Sequence, residues 1–155
     1  MSSSITWSLI PFAMPLRWVS WNFLVYCATA LWEPTLITWP QERQDAVHEL
    51  VENKDELGLD FILVVGGWDS SNTAHLLEIP VHAGIRAFHI NRADCIGADN
   101  TITHRTVDGE IITESFIQDL SKDVVMGVTS GASTPDAAVQ DSLSSIFMLK
   151  KLSLA

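Results

Sequence analysis

The sequence predicts an α/β fold, a single parallel-sheet domain with flanking helices. Two short apolar runs, Phe61–Val65 and Val124–Val128, have the length and β-branched content of strands buried on both faces. Each leads through a glycine-containing, hydroxyl-rich stretch into a helical pattern, and strands alternating with helices imply a parallel sheet covered by helices. A chain of 155 residues holds one core, so one domain is expected.

The first forty residues differ from the rest. Arg17 is the only charged side chain before Glu33, and five of the six tryptophans lie at Trp7, Trp18, Trp21, Trp32 and Trp39. The uncharged run Trp18–Trp32 is fifteen residues long, short of the ~20 that a spanning helix needs. Arg17, Pro15 and Pro11 interrupt any upstream extension. Residues 1–40 are therefore set apart as a hydrophobic, Trp-rich leader, and residues 41–155 as the α/β domain. Three readings of the leader stay open: a segment joined by a wrong reading frame, a membrane-associating segment, or a targeting segment poor in the expected arginines.

From Pro40 the elements follow in order. Pro40 and the acidic residues Glu42 and Asp45 mark a helix start, and Ala46, Val47, Leu50 and Val51 form its apolar stripe to about Asn53. Phe61–Val65 is the first buried strand. Ser70, Ser71 and Asn72 precede a helix over Thr73–Glu78, which Pro80 is expected to end. Arg86–Ile90 is the next strand. Thr101–His104 and Glu110–Ile112 form a hairpin around Asp108-Gly109. Val124–Val128 is another buried strand, and a loop over Thr129–Asp136 leads into a last helix reaching about Lys151.

The formal charge of −10 argues against nucleic acid or an anionic membrane surface as a partner, because both demand a basic face. A phosphate site in such a chain must be local, made of backbone amides and hydroxyls. Two stretches have that design: Gly66-Gly67-Trp68-Asp69-Ser70-Ser71-Asn72-Thr73 and Thr129-Ser130-Gly131-Ala132-Ser133-Thr134-Pro135-Asp136. Both leave the carboxyl end of a buried strand, where open parallel sheets bind ligands, and both enter a helix whose first amides suit an anion. Ser, Thr, Asn and Asp also cap helices with no ligand present, and the Gly-Lys-Ser/Thr ending of a P-loop is missing. Two matching loops outweigh plain capping.

The remaining chemistry-bearing residues are weaker candidates. His48, His75, His82, His89 and His104 form no H-x-x-x-H pair, and surface or packing roles are expected of them. His104 lies in the hairpin on the ligand side. Cys27 and Cys95 lie far apart with no CxxC spacing, so neither a disulfide framework nor a metal motif is expected, and Cys95 is read as a buried structural thiol. Trp68 either shields a ligand or packs on the sheet.

Three stretches carry a family resemblance: Gln41-Glu42-Arg43-Gln44-Asp45-Ala46, Leu63–Thr73, and Gly127–Asp136. In order and spacing they resemble consecutive motifs of the 4-hydroxy-3-methylbut-2-enyl diphosphate reductases, the LytB-type family, and the insertion from Gly97 through Glu110 resembles its plant and cyanobacterial branch. The resemblance implies the third α/β domain of a three-domain reductase. That enzyme removes a hydroxyl reductively to give isopentenyl and dimethylallyl diphosphates, the last step of the methylerythritol phosphate route to isoprenoids. It further implies a 4Fe-4S cluster held by three cysteines, electrons from ferredoxin or a flavodoxin-type donor, and an isoprenoid diphosphate held by Ser70, Ser71, Asn72 and Ser133. A plastid is the implied compartment in a photosynthetic eukaryote, the cytoplasm in a bacterium.

The departures from the family pattern carry expectations too. Ile37 stands where the family has its third cysteine, neither Cys27 nor Cys95 matches a ligand position, and no catalytic residue of the family is found. Isoleucine cannot replace a thiolate. The family's other two domains, with their cysteines, histidines and acidic proton donor, have no counterpart in the sequence. The chain is expected to be a truncated reductase, inactive and without the cluster on its own. The alternatives are a non-enzymatic diphosphate-binding module or a partner subunit of the full-length enzyme.

Overall fold

A computed structural model describes residues 6–8, 16–20, 23–27, 40–118, 124–131 and 134–153. The elements in chain order are β1 (Thr6–Ser8), β2 (Leu16–Ser20), β3 (Phe23–Cys27), α1 (Pro40–Glu52), α2 (Lys54–Leu57), β4 (Phe61–Val65), α3 (Ser71–His82) and β5 (Ala87–Ile90). A 3-10 turn (Ala93–Cys95), β6 (Thr101–Arg105), β7 (Ile111–Ser115), β8 (Val124–Ser130) and α4 (Asp136–Ser153) complete them.

Among the described residues the strands form one sheet in the order β1-β2-β3-β8-β4-β5-β6-β7. Its centre, β3-β8-β4-β5, is parallel. Both flanks are antiparallel, one of them the β6–β7 hairpin expected around Asp108-Gly109. The fold is thus a mixed α/β sheet with flanking helices. Three strands from the first forty residues extend it, β3 lying beside β8 from Phe23↔Val124 to Cys27↔Val128.

The continuous apolar runs are explained by burial on both faces. Every residue of β4 is buried, and successive side chains point to opposite sides. Phe61, Leu63 and Val65 pack with Val139, Leu143, Ile146 and Leu149 of α4. Ile62 and Val64 pack with Val47 and Leu50 of α1 and Leu76 and Leu77 of α3. Helices α1 and α3 therefore cover one face and α4 the other. Phe61, Phe88 and Phe116 meet edge-to-face at 5.0–5.8 Å between centroids on the α4 side, a geometry that adds to their burial.

Of the boundaries that differ from expectation, two bear on the site. Helix α3 does not stop before Pro80 but runs to His82 with that proline buried inside it. Pro80 lies in the last turn, so its missing N–H removes a single helical bond. Its carbonyl still accepts from Ala83 N–H at 3.1 Å and Ile85 N–H at 2.9 Å, closing the helix end before Gly84 at φ +78°. The stretch from Thr129 is also not all loop. The ladder with β4 continues to Val65↔Ser130, and Gly131 N–H donates to Val65 O at 3.0 Å, so Thr129 and Ser130 belong to β8.

Candidate functional site

The two hydroxyl-rich stretches leave adjacent parallel strands, β4 and β8, at the same end. After β4 the chain moves by way of α3 to β5 on one side, while β8 lies on the other side of β4 and feeds α4 on the opposite face. The strand order reverses between β4 and β8, which makes the crevice at their carboxyl ends a topological switch point, the usual ligand position in an open α/β sheet.

Packing ties the two loops together. Thr73, in the first turn of α3, is 1% exposed and wedged between Gly66 and Gly131. A Cβ on Gly66 would come within 2.6 Å of Thr73 Oγ1 and 3.1 Å of Thr134 Oγ1, and one on Gly131 would overlap Thr73 Oγ1. Thr134 closes the contact from the other loop by donating its hydroxyl to Val65 O at 3.2 Å. The glycines are needed because α3 and the start of the second loop approach this closely, since neither Gly66 nor Gly131 has a positive φ.

Ser70 is the N-cap of α3, and its Oγ accepts from Thr73 N–H at 3.4 Å, the normal task of a serine there. Ser71 and Asn72 follow in the first turn, both exposed. The structure brings Ser70, Ser71 and Asn72 to the head of α3 beside the β4–β8 crevice, while Ser133 and Ile37 lie outside the described residues. Neither loop sequence contains Lys or Arg. Its capacity for an anion rests on amides and hydroxyls aligned with a helix dipole.

Two participants were not evident beforehand. The sequence presents Thr73 only as part of the hydroxyl run and His89 as a surface or packing histidine. His89 is fully buried on β5, with Nε2 3.0 Å from Gly66 O. A histidine inside an apolar strand is a signal in itself, because a buried polar group needs a partner. Trp68 is half-buried and donates Nε1–H to His89 O at 3.2 Å, which ties it to the sheet. Burial, the largest influence, holds the His89 pKa below its ordinary 6.5, against an opposing hydrogen bond with Gly66.

The other histidines lie elsewhere. His104 is 5% exposed, edge-on to Phe88 at 4.9 Å. Its Nε2 is 3.2 Å from Glu114 Oε1 but is not aligned for a hydrogen bond, so the two make a close polar contact only. His48, His75 and His82 line a 620 Å³ groove between α1 and α3 with Gln44 and Glu78. That groove contains no residue of either loop, so its size does not make it the ligand site. Among the described residues, no three or more His, Cys, Asp or Glu are placed to hold a metal ion.

A 4Fe-4S cluster bound by three thiolates does not fit these 155 residues alone, because they contain two cysteines. Cys95 is half-buried and donates Sγ–H to Asn91 Oδ1 at 3.2 Å. Cys27 lies on β3, paired with Leu16 and Val128.

A mixed sheet covered by helices on both faces, with two small-residue loops leaving its central strands, defines an open-sheet α/β protein. The chain belongs to the LytB protein family, whose sequence profile matches residues 31–147. A protein of Botryococcus braunii named 4-hydroxy-3-methylbut-2-enyl diphosphate reductase, chloroplastic, is 48% identical over 123 residues, covering 77% of this chain and 24% of its own length. A protein of Picosynechococcus sp. named 4-hydroxy-3-methylbut-2-enyl diphosphate reductase is 47% identical over 116 residues, covering 75% of this chain and 28% of its own. The chain spans about a quarter of the length of these curated relatives. A solved (E)-4-hydroxy-3-methyl-but-2-enyl diphosphate reductase superimposes with a TM-score of 0.48 at 22% identity, over 70% of this chain and 30% of its own. The chloroplastic and cyanobacterial relatives agree with the branch to which the Gly97–Glu110 insertion points.

Proposed function

We propose that this chain supplies the diphosphate grip of a 4-hydroxy-3-methylbut-2-enyl diphosphate reductase. The observation that carries the reading is the convergence of the two loops on Thr73 at the carboxyl ends of β4 and β8. In this reading the amides and side chains of Ser71 and Asn72 donate to the diphosphate oxygens. Ser70, whose oxygen is engaged in capping, adds its hydroxyl proton. Ser133, in the second loop sequence, is assigned the same task. Dehydroxylation itself is assigned to the whole reductase, with its 4Fe-4S cluster and a ferredoxin or flavodoxin-type donor. With two cysteines, these 155 residues bind and orient the substrate. The chloroplastic relative favours a plastid as the compartment.

The test is calorimetric titration of the full chain with 4-hydroxy-3-methylbut-2-enyl diphosphate. Binding is expected, with inorganic pyrophosphate competing and the diphosphate-free alcohol not competing. Ser71→Ala with Asn72→Ala removes two hydrogen bonds to a charged group and is expected to weaken binding about a hundredfold. A flat titration of the unaltered chain, or an unchanged affinity in the double variant, would reject the reading.

A further inference from the structure

His89 sits among apolar residues on β5 and is hydrogen-bonded to the first loop through both its ring and its backbone carbonyl. Its Nε2 lies 3.0 Å from the Gly66 carbonyl. A carbonyl only accepts, so Nε2 carries the proton, and Nδ1 is left with a buried lone pair that has no partner. Its own carbonyl accepts the Trp68 indole N–H at 3.2 Å, and the neighbouring Ile90 carbonyl accepts Gly66 N–H at 2.9 Å. The end of β5 therefore holds three points of the chain as it leaves β4. One of them, the Gly66 carbonyl, is held by a side chain.

That bond has a directional consequence. In a planar trans peptide the C=O and the following N–H point opposite ways, so turning the Gly66 carbonyl onto His89 turns the Gly67 N–H away from β5. No described group accepts that N–H, and Gly67 is exposed with open space around its Cα. We propose that His89 is the positioning residue of the diphosphate loop: its Nε2–H fixes the Gly66–Gly67 peptide so that the Gly67 amide faces outward as a further anion donor ahead of α3. The inference rests on the diphosphate reading of this loop and adds the Gly67 N–H as a ligand and His89 as the group that aims it.

The experiment compares His89→Gln with His89→Asn in the full chain. Glutamine places an amide N–H near the Nε2 position, whereas asparagine places it near Nδ1, facing away from Gly66. Two readouts are taken, the affinity for inorganic pyrophosphate and the amide resonances and hydrogen exchange of Gly67 to Thr73. Losing an aligned neutral hydrogen bond and stranding its carbonyl is expected to weaken pyrophosphate about tenfold in His89→Asn, with His89→Gln within about twofold of the parent. The Gly67 amide should shift in His89→Asn alone, while the amides of α4 keep their positions. Equal behaviour of the two variants in both readouts would overturn the proposal. If the unaltered chain binds no pyrophosphate, the diphosphate reading falls and the donor role of Gly67 falls with it. The amide comparison then judges whether His89 sets the peptide. Should the asparagine variant fail to fold, the ring-nitrogen spectrum of the unaltered chain decides: a neutral Nε2–H tautomer supports the proposal, and an Nδ1–H tautomer overturns it.

Discussion

Gly66, at the end of β4, and Gly109, in the β6–β7 turn, are glycine for different reasons. Gly66 has an ordinary backbone, but a side chain there would meet Thr73 Oγ1 at 2.6 Å, Thr73 Cγ2 at 2.7 Å and Thr134 Oγ1 at 3.1 Å. Gly109 has φ +90°, and a Cβ there would meet the far end of the flexible Arg105 side chain at 3.3 Å. The first is demanded by three elements closing on one point, the second by the path of a hairpin. The strands beside them differ in the same sense, since β4, which Gly66 follows, is buried at every residue and β7, which Gly109 precedes, is exposed at every residue. A binding site needs the first kind of place, where positions are over-determined by packing. The outer strand β7 can vary because none of its residues is buried.

The sharpest test of this contrast has the largest effect. Gly66→Ala should destabilise the fold by about 1–3 kcal/mol through overpacking, whereas Gly67→Ala, with nothing within 4 Å of its Cβ, should stay within about 0.5 kcal/mol. Thr73→Ala removes the obstructing atoms, so combining it with Gly66→Ala should recover part of the loss in a double-mutant cycle. Chemical denaturation reads the parent and all four variants. If Gly66→Ala and Gly67→Ala melt alike, packing is not what selects Gly66. Gly109→Ala comes next, at about 1 kcal/mol from a backbone region that a Cβ disfavours. Because that penalty lies in the backbone, Arg105→Ala should not relieve it.

Much of this centre was legible in the sequence, and the gaps have physical causes. Strands β4 and β8 announced themselves because burial on both faces leaves no polar alternation. The loops did so because glycine and hydroxyl residues cluster after each strand. The length of α3 is not legible because proline is a local stop signal, and burial of Pro80 in the last turn overrides it. The role of His89 is hidden because its partner, Gly66, lies 23 residues away. Thr73 looks like one more hydroxyl because its two glycine neighbours meet only when β4 and β8 pair.

The buried histidine makes the centre sensitive to pH in a defined direction. Burial lowers the His89 pKa below 6.5 in the folded chain, so as pH falls below that value the unfolded chain takes up a proton first. By linkage, this contribution to stability is fully present above 6.5 and declines below it, levelling off once pH has passed the folded pKa. Denaturant midpoints of the parent and His89→Gln should therefore draw closer, or cross, in the acid range. Parallel curves there would show that His89 does not titrate on unfolding.

The smallest effect belongs to the edge. Ile111 is 52% exposed on β7, the last strand of the sheet, so burial contributes little at that position. Ile111→Thr keeps a β-branched side chain suited to a strand and removes exposed apolar surface from an edge that invites pairing with other chains. Its thermal midpoint is expected to stay level, equivalent to within about 0.5 kcal/mol, and its pyrophosphate affinity should be unchanged. A clear loss of stability would mean that β7 supports Phe116 and the ring cluster beneath it through the Arg86 bonds to Ser115 O and Phe116 O. The hairpin would then belong to the same over-determined centre as Gly66.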